Sequence, residues 1–145
     1  MPTSRTIDTL LAQYSESHVN QLNEWIHIVC VPVIVFTLLG LLWAIHPLLA
    51  LAVVATALRY YAGLSKPFAV GMLLMAASML GLLSALPPRA VLPLSLAMFV
   101  LAWIGQFIGH QIEGRKPSFF DDVRFLLIGP LFVLGFLYRR LKLAY

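Results

Sequence analysis

Four long apolar stretches, each close to a bilayer in length and nearly free of charge, set the limits on what this chain can become: residues 26–45, 48–64, 68–86 and 90–109. An α-helix rises 1.5 Å per residue, so about 20 apolar residues cross the ~30 Å hydrocarbon layer. In that layer every backbone polar group has to be bonded within the protein, which leaves helices as the available element. Only 11% of the 145 residues are charged while 61% are hydrophobic, and mean hydropathy is +0.90. Soluble domains carry about a quarter charged residues. The expectation is an all-α, integral membrane helical bundle, a single membrane domain over residues 1–145 with the lipid bilayer as its partner.

The breaks between spans are written in proline: His46-Pro47, Lys66-Pro67 and Pro87-Pro88-Arg89. Pro32 lies inside the first span and bends it without stopping it. Ahead of the spans, residues 1–19 read as an amphipathic helix. Ile7, Leu10, Leu11, Tyr14 and His18 share one face at 3/4 spacing, with Arg5, Asp8, Thr9, Gln13 and Glu16 opposite. Thr6 is the expected cap of that helix, and Asn20 or Asn23 of the next. After the spans, Ser118-Phe119-Phe120-Asp121 reads as a capping box with Asp in the acidic position. It opens an apolar run over 125–138 that contains Gly129-Pro130 and is short for a crossing, as a re-entrant or interfacial helix is.

Charge tests this layout. With four crossings, Arg5, Arg59, Lys66, Arg115, Lys116, Arg124, Arg139, Arg140 and Lys142 fall on one side and Arg89 on the other. The positive-inside rule then puts both termini in the cytoplasm, in a bacterial inner membrane or the endoplasmic reticulum. The N-terminus has no apolar signal-peptide core, so the first span is expected to be retained. A net charge of +4, scattered along the chain, does not make a nucleic-acid surface. The lone Cys30 lies in an apolar run and offers no disulfide framework.

The chemistry gathers at one end. His18 precedes the first span, His27 begins it and His110 ends the fourth, so all three share a side and a depth, with His46 roughly 30 Å away. Three neutral imidazoles converging at the mouth of a bundle suit Fe(II) or Zn(II). Glu113 can complete the set as a carboxylate ligand, or pair with Arg115 or Lys116. Asn23 stands four residues before His27 and Gln106 four before His110, where each amide can orient its histidine or bind substrate. His18 and His27 are nine apart, on opposite faces of one straight helix, so the chain has to break near Val19-Asn20. Gly105 and Gly109 form a small-xxx-small pair that admits a neighbouring helix.

Two groups of residues then carry a resemblance. Tyr14-x3-His18-x4-Asn23-x3-His27-x4-Pro32, followed by Trp103-x2-Gln106-Phe107-x-Gly109-His110-x2-Glu113-x3-Pro117 and Asp121, is similar to the small membrane proteins typified by the fungal 2-hydroxy-fatty-acid dioxygenase of phytosphingosine breakdown. The likeness runs from Tyr14 to about Leu131. The fungal motif has a doubled histidine where this chain has Ser17-His18, and its glutamate follows the last histidine by four residues rather than three. The resemblance implies an Fe2+ cofactor held by His18, His27 and His110, with Tyr14 beside them. It also implies α-oxidation of a 2-hydroxy fatty acid by O2 to the acid one carbon shorter and CO2. Arg115 and Lys116 are placed to attract the substrate carboxylate.

The rival class is a non-enzymatic scaffold or small transporter, and no span carries the mid-membrane ionisable group that transport calls for. Zinc-dependent lipid hydrolysis is a third reading, distinguished by its metal and by its indifference to oxygen. The histidines are too few for a di-iron desaturase, and neither a His-Glu-x-x-His run nor a Gly-rich phosphate loop is present.

Overall fold

The structure is a computed structural model that describes residues 5–145; the first four residues of the expected N-terminal helix lie outside the described residues. The described chain is helical throughout: α1 (Thr6–Ser15), α2 (Gln21–Ile45), α3 (Pro47–Leu64), α4 (Lys66–Ala85), α5 (Pro88–Glu113), a 3-10 turn at Ser118–Phe120, and α6 (Phe125–Arg140). Helices α2 to α5 are each long and apolar enough to cross a membrane. Large apolar side chains such as Leu74, Leu82 and Leu101 face outward, as lipid-facing positions do.

The connections are minimal. His46 alone separates α2 from α3 and Ser65 alone separates α3 from α4, each in an extended conformation. Prolines occupy the first turn of α3, α4 and α5, where a missing N–H costs nothing. Such short joints force antiparallel neighbours, so the start of α2 and the finish of α5 lie at the same end. These two helices form the most extensive pair in the bundle. The glycines expected to admit a neighbour do so: a Cβ on Gly105 would sit 2.8 Å from Cys30 Sγ, and one on Gly109 would collide with Asn23 Oδ1. Both contacts are with α2.

Two cores fill the bundle. One lies beneath α1, where Ile7, Leu10 and Tyr14 meet Ile128, Leu131 and Phe132 of α6 and Phe68 and Met72 of α4. The other, at the far end, joins Leu39, Ala50, Met79, Leu83 and Val91. Helix α6 is pinned by two phenols, Tyr61 donating to the Leu127 carbonyl at 2.8 Å and Tyr138 to the Pro67 carbonyl at 2.7 Å.

Two capping expectations need correction. Arg5, not Thr6, precedes α1, and its side chain makes no capping hydrogen bond. The Ser118–Asp121 sequence makes a 3-10 turn and α6 starts only at Phe125, because the Ser118 hydroxyl is taken by Ser17 at 2.5 Å and Asp121 by Lys116. Asn20 caps α2 as expected, its side chain accepting from the Leu22 and Asn23 amides.

A candidate metal centre at one end of the bundle

The break between α1 and α2 builds the site. Helix α1 stops at Ser15, α2 begins at Gln21, and residues 16–20 turn the chain between them. That turn brings the His18 ring back over His27, which one straight helix would have kept apart. The break also leaves the Val19 and Asn20 amides without helical partners, and the Glu113 carboxylate takes both, at 3.1 and 2.8 Å. It accepts a third bond from Asn23 Nδ2 at 3.1 Å. An anion at the start of α2 also complements the positive end of that helix. Glu113 is the last residue of α5, which ends on the left-handed Gly114 (φ 74°).

Three imidazoles meet inside this clamp. His18, His27 and His110 are 5%, 3% and 4% exposed. One ligand nitrogen from each lies within 4.8 Å of the others. Nε2 of His18 stands 2.9 Å from Nε2 of His27, and the His110 ring is 5.1 and 4.9 Å from theirs, centre to centre. Nitrogens gripping one ion sit roughly 3–3.5 Å apart; the His18–His27 pair is already at about that spacing, and His110 lies within 4.8 Å of it.

The protonation state is also set. His18 Nδ1 lies 2.6 Å from the Tyr14 carbonyl oxygen. A carbonyl can only accept, so Nδ1 carries the hydrogen and Nε2 keeps its lone pair for a metal. Burial pushes the His18 pKa down to about 4, partly opposed by that same backbone bond. The ring is therefore neutral, as a metal ligand must be. Tyr14 stacks on His18 with ring centres 4.3 Å apart and meets His27 edge-on at 6.0 Å. Its hydroxyl is pushed up by burial and stays protonated.

The donor set fits a bound ion. Nδ1 of His27 and of His110 is buried without a hydrogen-bond partner, and the unprotonated Nε2 of His18 faces Nε2 of His27 at 2.9 Å, so lone pairs are gathered where an ion would sit. First-row divalent metals accept imidazole. Three protein ligands leave coordination positions open, which is the pattern of catalytic rather than structural centres.

The remaining expected residues divide. Asn23 is fully buried and its side-chain amide donates to the Ser17 carbonyl and to Glu113; it braces the chain break, and that amide makes no hydrogen bond to the His27 ring. The Gln106 amide makes no hydrogen bond to His110. Glu113 does not join the cluster of ligand nitrogens and pairs with neither Arg115 nor Lys116. Arg115 and Lys116 line a polar pocket with Gln13, Glu16 and Asp121, on the other side of Ser118 from the imidazoles, and Lys116 is bonded to Asp121 at 2.8 Å. His46 is far away, accepting the Leu48 amide at 3.1 Å.

Sequence reasoning gave no role in the site to Ser17 and Ser118, whose hydroxyls pair across 101 residues, or to Trp103, named there only as part of the family pattern, which lines the cavity beside His27 and His110. Only Trp103 carried a signal: it precedes Gln106 by three residues and His110 by seven, on one helical face.

No curated protein and no solved structure matches the chain. A family model does, over residues 4–141, so the chain belongs to the family described as 2-hydroxy-palmitic acid dioxygenase Mpo1-like.

Proposed function

We propose that the protein is an iron(II)-dependent dioxygenase that shortens 2-hydroxy fatty acids by one carbon. The overall change balances as R–CH(OH)–COOH + O2 → R–COOH + CO2 + H2O: the C1–C2 bond breaks, C2 is oxidised to the new carboxyl, and O2 is reduced. What supports this reading is a buried trio of imidazoles, drawn from three separate segments, in a chain of a family named for this chemistry. His18, His27 and His110 would hold the ion. Iron(II), when bound, supplies the activation of oxygen.

The protein's own residues do the rest. The Tyr14 carbonyl holds His18 in the tautomer that presents Nε2. Glu113 and Asn23 fix the chain break on which that ring depends. The cavity beside His27 and His110 is walled by Val31, Ile34 and Leu38, and so keeps bulk water from the reacting carbon. The basic residues gather at the site's end of the bundle, and the positive-inside rule supports a cytoplasmic site, with both termini, in a bacterial inner or endoplasmic reticulum membrane.

The test is metal analysis of the protein purified in detergent, with oxygen consumption and CO2 release measured on 2-hydroxypalmitate. The expected result is about one iron per chain and turnover that stops without oxygen. Protein that takes up no iron, or turns over no 2-hydroxy acid of any length, would overturn the reading. Zinc in place of iron, with hydrolysis that ignores oxygen, would replace it.

A further inference from the structure

The wall of the cavity beside His27 and His110 holds two polar atoms that nothing in the fold uses. Gln106 is 3% exposed, yet its Nε2 has no hydrogen-bond partner; the same is true of the buried indole N–H of Trp103. Buried polar groups are almost always bonded, so two orphans on one wall call for an explanation. Both are donors, so the missing partner is an acceptor. Both project from α5 on the face that also carries His110. No charged side chain lines this cavity. Arg115 and Lys116 line the other, polar pocket.

The other end of the cavity is apolar. Val35, Leu38, Leu126 and Pro130 wall both this cavity, of about 120 Å³, and a second of about 180 Å³ that is also lined by Leu42, Val53, Met72 and Ala76. The two adjoin along these four side chains, with metal-ligand chemistry and free donors at one end and hydrocarbon contacts at the other. That is the shape of a single amphiphile with an oxygen-rich end and a long aliphatic tail.

We propose that Gln106, seconded by the Trp103 indole N–H, is the specificity residue that binds the acid end of the acyl substrate beside the histidines, while the tail lies along the apolar track past Met72 and Ala76. This rests on the dioxygenase reading and adds to it: the head is read by neutral donors inside the bundle, not by Arg115 and Lys116. The amide holds the acid end next to the imidazoles, and the depth of the track sets the chain length.

The experiment measures binding of labelled 2-hydroxypalmitate and of 1-hexadecanol to metal-free protein in detergent, with metal content and KM followed in parallel. Gln106→Leu and Gln106→Met are compared with the wild type, two variants of similar size so that a folding failure in one does not end the test. The expected result is about tenfold weaker acid binding and a matching rise in KM, unchanged hexadecanol binding and unchanged metal content. Ala76→Phe is expected to move the preferred chain length shorter by several carbons. Wild-type affinity for the acid in both Gln106 variants would overturn the proposal, and so would loss of metal from them, which would make Gln106 a positioning residue for His110. An unmoved chain-length preference in Ala76→Phe would overturn the placement of the tail. Wild-type protein that binds no acid at all would instead defeat the dioxygenase reading.

Discussion

The two ends of the α2–α5 pair hold the same residue type in opposite circumstances. At the far end His46 is exposed; its Nδ1 accepts the first free amide of α3 and its own N–H closes the last turn of α2 at 2.9 Å. Around it the core is apolar, and Gly40 lets Ser95 of α5 press directly onto α2. At the near end three histidines are buried, two present ring nitrogens to each other, and Asn23 Oδ1, Gln106 Nε2 and Trp103 Nε1 are left without partners. Unbonded buried polar atoms destabilise a fold by about 1–3 kcal/mol each. Among the described residues no buried side-chain polar atom near His46 lacks a partner while several at the other end do, and that contrast is what a ligand site at the second end produces. The difference lies in what surrounds an imidazole, not in its presence.

The sharpest way to break that comparison is to remove the rings one at a time. His18→Ala, His27→Ala and His110→Ala are each expected to abolish stoichiometric metal and lower oxygen consumption at least ~100-fold, more than the loss typical of groups that only support a ligand. His46→Ala is expected to leave both within about twofold. Elemental analysis and oxygen electrode traces on the four purified variants decide the matter, and equal effects at both ends would erase the distinction.

The clamp should come next in size. Glu113→Gln keeps the shape of the side chain but removes the charge that three donors share. Hydrogen bonds to a charged group contribute about 2 kcal/mol, and supporting residues typically change metal affinity about 10–100-fold. The variant should therefore melt earlier and bind metal in that weaker range while its spans stay inserted. A variant with unchanged metal affinity would show that His18 holds its place without the brace.

Much of this was legible before any coordinates. The spans were, because lipid permits one solution for some 20 apolar residues. The break near Val19-Asn20 was, because His18 and His27 could not otherwise meet. The position of Glu113 was not. A carboxylate three residues after His110 reads equally as a ligand or as a partner for bare amides, and those amides exist only once the chain has broken 90 residues earlier. Arg115 and Lys116 are close to His110 along the chain, but the left-handed turn at Gly114 carries them into a different pocket. The Ser118 pattern looked like a helix cap because its true partner, Ser17, is 101 residues away.

The glycines sharpen the comparison at intermediate size. A Cβ at Gly40 would strike Ser95 Oγ, and one at Gly109 would strike Asn23 Oδ1. Overpacking typically destabilises by about 1–3 kcal/mol, so Gly40→Ala and Gly109→Ala should cost similar stability. Their second effects should part. Displacing Asn23 disturbs its bonds to Ser17 and Glu113 and with them the chain break, so Gly109→Ala should lower metal occupancy in the folded fraction, and Gly40→Ala should not. Occupancy measured after removal of aggregated protein separates the two, and equal occupancy would mean that the site tolerates movement of Asn23.

The smallest expected effect is the stability of His46→Ala. Its side chain serves one amide, that of Leu48, at the start of a helix whose first residue is a proline with no N–H of its own. Losing a side-chain cap costs about 0.5–2 kcal/mol. His46 is exposed and water can take over the Leu48 amide, so the lower part of that range, about 0.5 kcal/mol, is expected. A thermal shift of one or two degrees, equal with and without metal, would agree. A shift that grows when metal is bound would mean that the two ends of α2 communicate, and the division drawn here between a packed end and a ligand-binding end would have to be abandoned.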